Sequence, residues 1–114
     1  MWCLEDCNDL IVTIVKRGLS EEIINGARKA GAEGATVFYG RGTGIHEKKK
    51  LLGIPIEPEK EIIFIVTMRD KSDDVLEAIV DAGDLNKPGH GTSFVLELKK
   101  VAGMVHLLGE MQDS

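Results

Sequence analysis

The sequence predicts an α+β fold, in which a four-stranded antiparallel sheet carries two helices on one face. Three observations favour it. A pattern of strand, helix and strand occurs twice along the 114 residues, and the two helices begin at Ser20 and Ser72, which are 52 positions apart. Both helices also end in the dipeptide Ala-Gly. Two such units in tandem give the order βαββαβ of ferredoxin-like domains.

The first unit opens with the β-branched run LIVTIVK at residues 10–16, which predicts a strand. Ser20 has the character of an N-cap, and two glutamates follow it in the first helical turn. One apolar helix face follows from the i, i+4, i+7 spacing of Ile23, Ala27 and Ala30. Gly31 suits the position after the helix, and residues 35–39 predict the second strand.

The second unit repeats this order from residue 61, where EIIFIVTM predicts a strand over residues 61–68. Ser72 is the expected N-cap, and Gly83 is expected to close the helix. The apolar stripe recurs at Val75, Ile79 and Ala82. Residues 93–98 predict the last strand.

Two connections distinguish the halves. After Gly83 the chain takes a longer path, DLNKPGHGT at residues 84–92, than it takes after Gly31. The link between the halves, residues 41–60, is about twenty residues long and opens with a glycine cluster. Long connections of this kind are typical of functional or mobile segments.

The sheet face opposite the helices is predicted to be apolar, so we expect it to be buried against another surface. The strand at 61–68 is apolar at both alternating sets of positions, and the last strand places Phe94, Leu96 and Leu98 on one side. We therefore expect a homo-oligomer; the alternative is a monomer with an amphipathic sheet face.

Composition excludes several classes of function. The net charge is −5, with 19 acidic and 14 basic residues, and aromatic residues make up 4% of the chain, which argues against nucleic-acid binding. No stretch has the length and hydropathy of a membrane span, and the acidic N-terminus does not resemble a secretory signal, so we expect a cytoplasmic protein. Residues 1–9, with thiols Cys3 and Cys7, are expected to form a weakly ordered tail. No nucleophile–base pair has a recognisable spacing, so we do not expect an enzyme.

The segments GATVFYGRGTG, GIPIEPEKEIIFIVT and KPGHGTSFVLEL, in this order on the duplicated unit, resemble the PII signal-transduction proteins. The resemblance covers residues 10–106 and is closer to the PII-like branch with shorter loops. It implies a trimer that binds an adenine nucleotide in the clefts between subunits. It also implies that residues 41–60 form an effector loop that touches a target protein, often a membrane transporter. The domain would span residues 10–107, followed by a tail at 108–114.

The resemblance also implies the site residues. The phosphate-binding loop at 84–92 would act through Lys87, Gly89, His90, Gly91 and Thr92. Ribose and phosphate would meet the backbone of Gly42 and Gly44, and the adenine base would lie near Ile14, Thr36 and Val66. The effector loop would present His46, Lys48, Lys49, Lys50 and Lys60. AMP, ADP and ATP are the candidate ligands, and Mg²⁺ can accompany the phosphates.

The chemistry of the loop agrees with this assignment. Glycines lack the Cβ atoms that keep an anion away from backbone N–H groups, Pro88 stiffens the chain, and Lys87 supplies a positive charge. The chain departs from the family at the positions of basic residues, which are occupied by Ile45, Thr92, Gly103 and Val105. Each departure removes a charge-assisted contact, so we expect a ligand with few phosphates, which is ADP, AMP or a cyclic nucleotide.

Two alternatives stay open. His46, His90 and His106 could bind a metal, as in a related trimeric fold that serves metal tolerance, although no short spacing joins them. The run EKKK at 47–50 could be a solvated loop or a docking element for an acidic or membrane-embedded partner.

Overall fold

The structure, a computed structural model, describes residues 3–43 and 49–103. In chain order the elements are β1 (Cys3–Lys16), α1 (Ser20–Lys29), β2 (Thr36–Arg41), β3 (Lys49–Leu51), β4 (Ile54–Ile56), β5 (Glu59–Met68), a 3₁₀ turn (Arg69–Lys71), α2 (Ser72–Gly83) and β6 (Gly91–Ala102). The main sheet has the order β2-β5-β1-β6 with antiparallel neighbours, and β3 and β4 form a separate hairpin. The βαββαβ prediction is confirmed, with this hairpin inserted in the link. Over the residues that are described, neither helix has the length and apolar character of a membrane span.

The core lies between the two helices and one face of the sheet. Alternate residues of β1 and β5 point into it because side chains along a strand alternate between faces. Its fully buried members include Ile11 and Val15 of β1, Ile63 and Ile65 of β5, Ile23 and Ala27 of α1, and Val75 and Ile79 of α2. The helical stripes read from the sequence are therefore confirmed, with Ala30 and Ala82 packing at their margins.

The central ladder carries the internal duplication. In the antiparallel pairing of β1 with β5, Val12 lies opposite Phe64, and these two residues are themselves 52 positions apart. Exchanging the two halves therefore maps this ladder onto itself. It follows that the duplicated units meet side by side about an approximate two-fold axis through this pair.

The helices do not begin as the sequence predicts. Ser20 and Ser72 are the first helical residues, and the preceding residues, Leu19 and Lys71, make no side-chain capping bond. Instead, a carboxylate from a distant strand lies at the start of each helix: Glu61 at α1 and Asp9 at α2. Gly18 N–H and Ser20 N–H donate to Glu61 Oε1 at 2.8 and 3.0 Å, and Ser72 Oγ donates to Asp9 Oδ2 at 2.6 Å.

The helix ends differ from one another. Gly31 follows α1 with a φ of +117°, as its predicted role requires. Gly83, however, is the last residue of α2, and the left-handed conformation falls on Asp84, with a φ of 51°. A Cβ at Gly83 would lie 2.9 Å from Ile23 Cδ1, so a larger residue would require the side chain of Ile23 to shift.

The expected N-terminal tail is wrong for residues 3–9. β1 begins at Cys3 and its first residues pair with the far end of β6, with a bulge between Glu5 and Asn8. Asn8 and Asp9 are buried. Residues 3–9 are polar and do not show the apolar pattern of a strand. They form one because β6 continues beyond residue 98, to Ala102, and pairs with them.

The link between the halves is shorter and more regular than the predicted loop at 41–60. Arg41 ends β2, β5 already begins at Glu59, and Gly42 N–H donates to Pro58 O at 3.2 Å across the base. Lys60, predicted in the effector loop, is instead a buried strand residue opposite Gly40 and Lys16. That assignment is wrong because β5 extends two residues further toward the N-terminus than residues 61–68.

Candidate ligand-binding site

A cavity of about 370 Å³ lies where the open face of the sheet meets the connection from α1 to β2. Leu10, Phe64, Val66 and Met68 give it an apolar wall. Gly31, Gly34 and Thr36 come from the connection and the start of β2, and Glu33 and Lys71 add one charge of each sign. An apolar wall with few polar groups is typical of small-ligand pockets.

Two of the three residues predicted near an adenine base line this cavity. Thr36 lies opposite Phe64 in the β2–β5 ladder, and Val66 lies opposite Leu10 in the β5–β1 ladder. The third, Ile14, lies on the same face but elsewhere, opposite Ile62 and Thr92. The structure thus brings Thr36 and Val66 together and leaves Ile14 outside the cavity lining.

The open face around the cavity is apolar and uncovered in the single chain. Phe38 and Phe64 contact each other edge to face, with ring centroids 4.9 Å apart. Phe38 and Phe94 are each 42% exposed and Leu96 is 48% exposed. These residues, from β2, β5 and β6, give the open face an exposed apolar surface, which is the character of an interaction surface.

The loop at 84–92 consists of two consecutive turns. Lys87 N–H donates to Asp84 O at 3.1 Å, and His90 N–H donates to Lys87 O at 3.2 Å. Lys16 N–H then donates to His90 O at 3.2 Å and fixes the end of the loop to β1. The loop is therefore held by its own backbone before any ligand is considered.

Two predicted cradle side chains already have partners in the protein. His90 Nδ1 lies 2.9 Å from Gly83 O at the end of α2, and Lys87 Nζ lies 3.0 Å from Asp84 Oδ2. Thr92 is exposed and lies opposite Ile14 at the start of β6. An entering anion would have to compete with Asp84 for the ammonium group of Lys87.

The two loop glycines have local reasons to be glycine. Gly91 has a φ of +147°, and a Cβ there would lie 2.4 Å from Ile14 O and 2.9 Å from Val15 Cα. Gly89 has a φ of +83°, and no atom of the described residues lies within 4 Å of the point that a Cβ would occupy, so it serves the turn and leaves open space. Gly89 is thus the glycine at which an anion could approach the backbone.

The cavity spans β2, β5 and β1 through Thr36, Val66 and Leu10, and the loop leads into β6 beyond them. Thr36 and Val66 belong to β2 and β5, whereas the loop leads into β6 at the other edge of the order β2-β5-β1-β6. With strands about 4.8 Å apart, the outer strands are separated by roughly 14 Å. One chain therefore does not bring all of the predicted nucleotide-binding residues together.

Several predicted residues lie outside the described part of the chain: Gly44, His46 and Lys48. Gly42 is described and stands at the base of the link, bonded to Pro58 O. Lys49 and Lys50 belong to β3 of the small hairpin. No group of three metal-ligating side chains occurs within residues 3–43 and 49–103.

A second cavity, of about 600 Å³, lies on the helix side of the sheet at the base of the link. Arg17, Tyr39, Arg41, Glu59 and Glu61 line it, and Arg17 Nη1 bonds Glu59 Oε2 at 2.7 Å. Sequence reasoning did not find this site because Arg17 is brought to the link only by the β1–β5 pairing. A signal was present in the alternation of Tyr39 and Arg41 along β2, which places both on one face.

Two buried carboxylates have perturbed acidity. Burial alone raises the pKa of Asp9, but hydrogen bonds from Ser72 and Arg69 and the charge of Arg69 outweigh it, and the net pKa is lowered. Burial likewise raises the pKa of Glu61, and the amides and hydroxyl at the start of α1 reverse this to a lowered pKa. Asp9 also accepts from Arg69 Nε at 2.8 Å. Both groups anchor helices, so their perturbation has a structural cause.

Comparison with known proteins gives a consistent result. A search of curated proteins finds no match. Among solved structures, PII from Arabidopsis thaliana bound to citrate superposes with a TM-score of 0.66 and 23% sequence identity, over 82% of this chain and 79% of that one. At this identity the likeness shows the fold. The model of the family described as nitrogen regulatory protein P-II matches residues 8–104, and the chain belongs to that family.

Proposed function

We propose that this protein is a PII-like signalling regulator, which binds an adenine nucleotide between copies of itself and acts on a partner protein through residues 41–58. Membership of the P-II family supports the regulatory role, since proteins of this family are signalling regulators and are generally not enzymes. The proposal has four parts: the protein binds a nucleotide, forms a trimer, resides in the cytoplasm and contacts a partner protein.

One observation carries the proposal: the predicted binding residues are spread across the sheet from β2 to the loop before β6. The cavity at Thr36 and Val66 offers an apolar wall to a base, and the loop at Lys87 and Gly89 offers a cation and open backbone to an anion. Across the sheet, Thr36 on β2 and the loop before β6 are about 14 Å apart, and a second copy would bring its loop to the cavity of the first. A cyclic arrangement supplies that contact and repeats it around the ring.

The open face supports the same arrangement. Phe94 and Leu96 of β6 lie on the same face of the sheet as the cavity and expose apolar surface that a second copy would cover. The neighbour from Arabidopsis is bound to citrate, an anion with several carboxylates. This agrees with an anion site in the proposed protein, although the ligand proposed for this chain is a nucleotide.

The ligand is tested by calorimetry of the purified protein with AMP, ADP and ATP, each with and without Mg²⁺. We expect saturable binding of one nucleotide per chain. The cavity is tested in parallel with Val66→Lys, which we expect to abolish binding, whereas Val95→Lys, on the other face of the sheet, retains it. Absence of binding with all three nucleotides would refute the assignment.

The assembly is tested by light scattering of two matched variants. Phe94→Lys places a charge on the open face, and Tyr39→Lys places it on the helix side, where Tyr39 is 73% exposed. We expect the first variant to dissociate and the second to remain a trimer. A wild-type chain that is monomeric would contradict the proposal, as would a trimer that tolerates Phe94→Lys.

The partner contact is tested by replacing residues 44–57 with a short Gly-Ser turn, which preserves the Gly42–Pro58 bond. We expect this variant to bind nucleotide like the wild type and to lose capture of the protein that the wild type retains from a cell extract. Capture by both forms would exclude the link as the contact region.

A further inference from the structure

The cation of the 84–92 loop is engaged by a carboxylate of the same loop. Lys87 is the sole lysine or arginine among residues 84–92. Its Nζ lies 3.0 Å from Asp84 Oδ2, with the two side chains 66% and 52% exposed. The pair is therefore at the surface, where a ligand can reach it, and it neutralises the charge that an anion would otherwise meet.

The backbone builds this pair into the loop. Asp84 takes the left-handed conformation, with φ 51° and ψ 49°, at the point where α2 ends. Its amide donates to Asp81 O at 3.3 Å, and its own carbonyl accepts from Lys87 N–H at 3.1 Å. The resulting turn brings the side chains of residues 84 and 87 to the same side, so the pairing follows from the turn geometry.

No other side chain of the loop replaces the cation. His90 Nδ1 is 2.9 Å from Gly83 O, so the ring is directed at the end of α2. The carboxylate of Asp84 repels any anion at Lys87, and this repulsion increases with each phosphate that the ligand carries. Removing the carboxylate should thus favour a triphosphate more than a monophosphate.

We propose that Asp84 is a specificity-determining residue, which competes with ligand phosphates for Lys87 and biases the site toward ligands with few phosphate charges. This inference rests on the proposed function, because it assumes that the 84–92 loop meets the phosphates.

The test compares Asp84→Asn with Asp81→Asn. Asparagine keeps the shape of aspartate and tolerates the left-handed conformation, so Asp84→Asn leaves the turn intact. Asp81 lies one turn earlier on α2 and is exposed; among the described residues no cation pairs with its carboxylate. Each variant removes one negative charge from the same end of the helix. Binding of AMP, ADP and ATP to each variant is measured by calorimetry.

We expect Asp84→Asn to tighten ATP binding about tenfold, ADP binding less, and AMP binding about twofold, whereas Asp81→Asn changes each by less than about twofold. Adding Lys87→Met to Asp84→Asn should abolish the gain. Equal gains for the three nucleotides, or equal effects of the two variants, would overturn the role of Asp84 and leave the proposed function intact. Absence of binding in the wild type and in Asp84→Asn would instead refute the proposed function and this inference with it.

Discussion

The starts of the two helices are equivalent positions in the duplicated chain, yet they are held in different ways. Glu61 accepts two backbone N–H groups at the start of α1, and Asp9, 52 positions away, accepts the Ser72 hydroxyl and Arg69 Nε at the start of α2. Each carboxylate belongs to the half that does not contain its helix. The duplicated units therefore depend on each other. Within the described residues, a carboxylate caps the amides at the start of α1 but not those at the start of α2.

The exits from the two helices differ as well. Gly31 leads directly into the connection to β2, whereas α2 ends at Gly83 and the chain makes two further turns before β6. At the end of the second exit Gly91 lies against the backbone of β1. Gly31 thus lies next to the side chain of Lys71, whereas Gly91 lies next to the backbone of β1.

The largest effect is expected from Gly91→Ala. Its Cβ would lie 2.4 Å from Ile14 O, a backbone atom that cannot move without breaking the β1–β6 ladder. We expect a loss of about 3–4 kcal/mol in the free energy of unfolding, measured by urea denaturation. Gly31→Ala is the matched variant, because its Cβ would meet only the flexible end of Lys71 at 3.3 Å, and it should cost about 1–2 kcal/mol. Equal costs would show that the exits are equally constrained.

The next effect is expected from Asp9→Asn. The amide cannot replace the charged acceptor for both Arg69 and Ser72, and its NH₂ group would face one of these donors in a buried site. We expect a loss of about 2–3 kcal/mol by the same measurement. Asp6→Asn, at an exposed neighbouring position, serves as the control and should cost less than about 0.5 kcal/mol.

A smaller effect is expected from Glu61→Gln. The Oε1 of glutamine can still accept from Gly18 N–H and Ser20 N–H, so the main loss is the charge at the helix start. We expect a cost of about 1 kcal/mol, and Glu59→Gln, which removes an exposed pair with Arg17, should cost less. If Glu61→Gln cost more than Asp9→Asn, the contrast between the two helix starts would be reversed.

The smallest effect is the response of stability to mild acid. The pKa values of Asp9 and Glu61 are lowered by folding, so the unfolded chain binds more protons at acid pH. The stability they contribute is present above the ordinary carboxyl pKa of about 4 and is lost as the pH falls through the lowered values. At about pH 4 the loss in the free energy of unfolding should be smaller than the loss caused by Asp9→Asn. The reason is that each carboxyl is only partly protonated at this pH, even in the unfolded chain. Denaturation at about pH 7 and about pH 4 measures it, and Asp9→Asn should show a weaker pH dependence than the wild type.

The sequence predicted the elements whose patterns are local. The stripes of α1 and α2 and the βαββαβ order came from periodicity, and the structure confirms them. The start of β1 was missed because residues 3–9 are polar, and their strand conformation depends on pairing with β6. Lys60 was misplaced because a lysine beside a loop gives no local sign that β5 extends to it.

The candidate site was predictable in part. Thr36 and Val66 were assigned by resemblance, and they do share a cavity, whereas Ile14 does not join it. The competition between Asp84 and Lys87 was not foreseen, because it depends on the left-handed conformation of a non-glycine residue. The cavity at Arg17 and Tyr39 depends on two strands that meet only in the folded sheet.

The sequence by itself determined the family, the order of elements and the 84–92 segment as the feature that separates the two halves. The glycines there first suggested a phosphate cradle. Tertiary structure decided what each of these two glycines does. Gly91 allows β6 to approach β1, and Gly89 leaves open space at the turn. The physical reason is that patterns along the chain report local periodicity, whereas close approach and pairing are set by residues far apart in sequence.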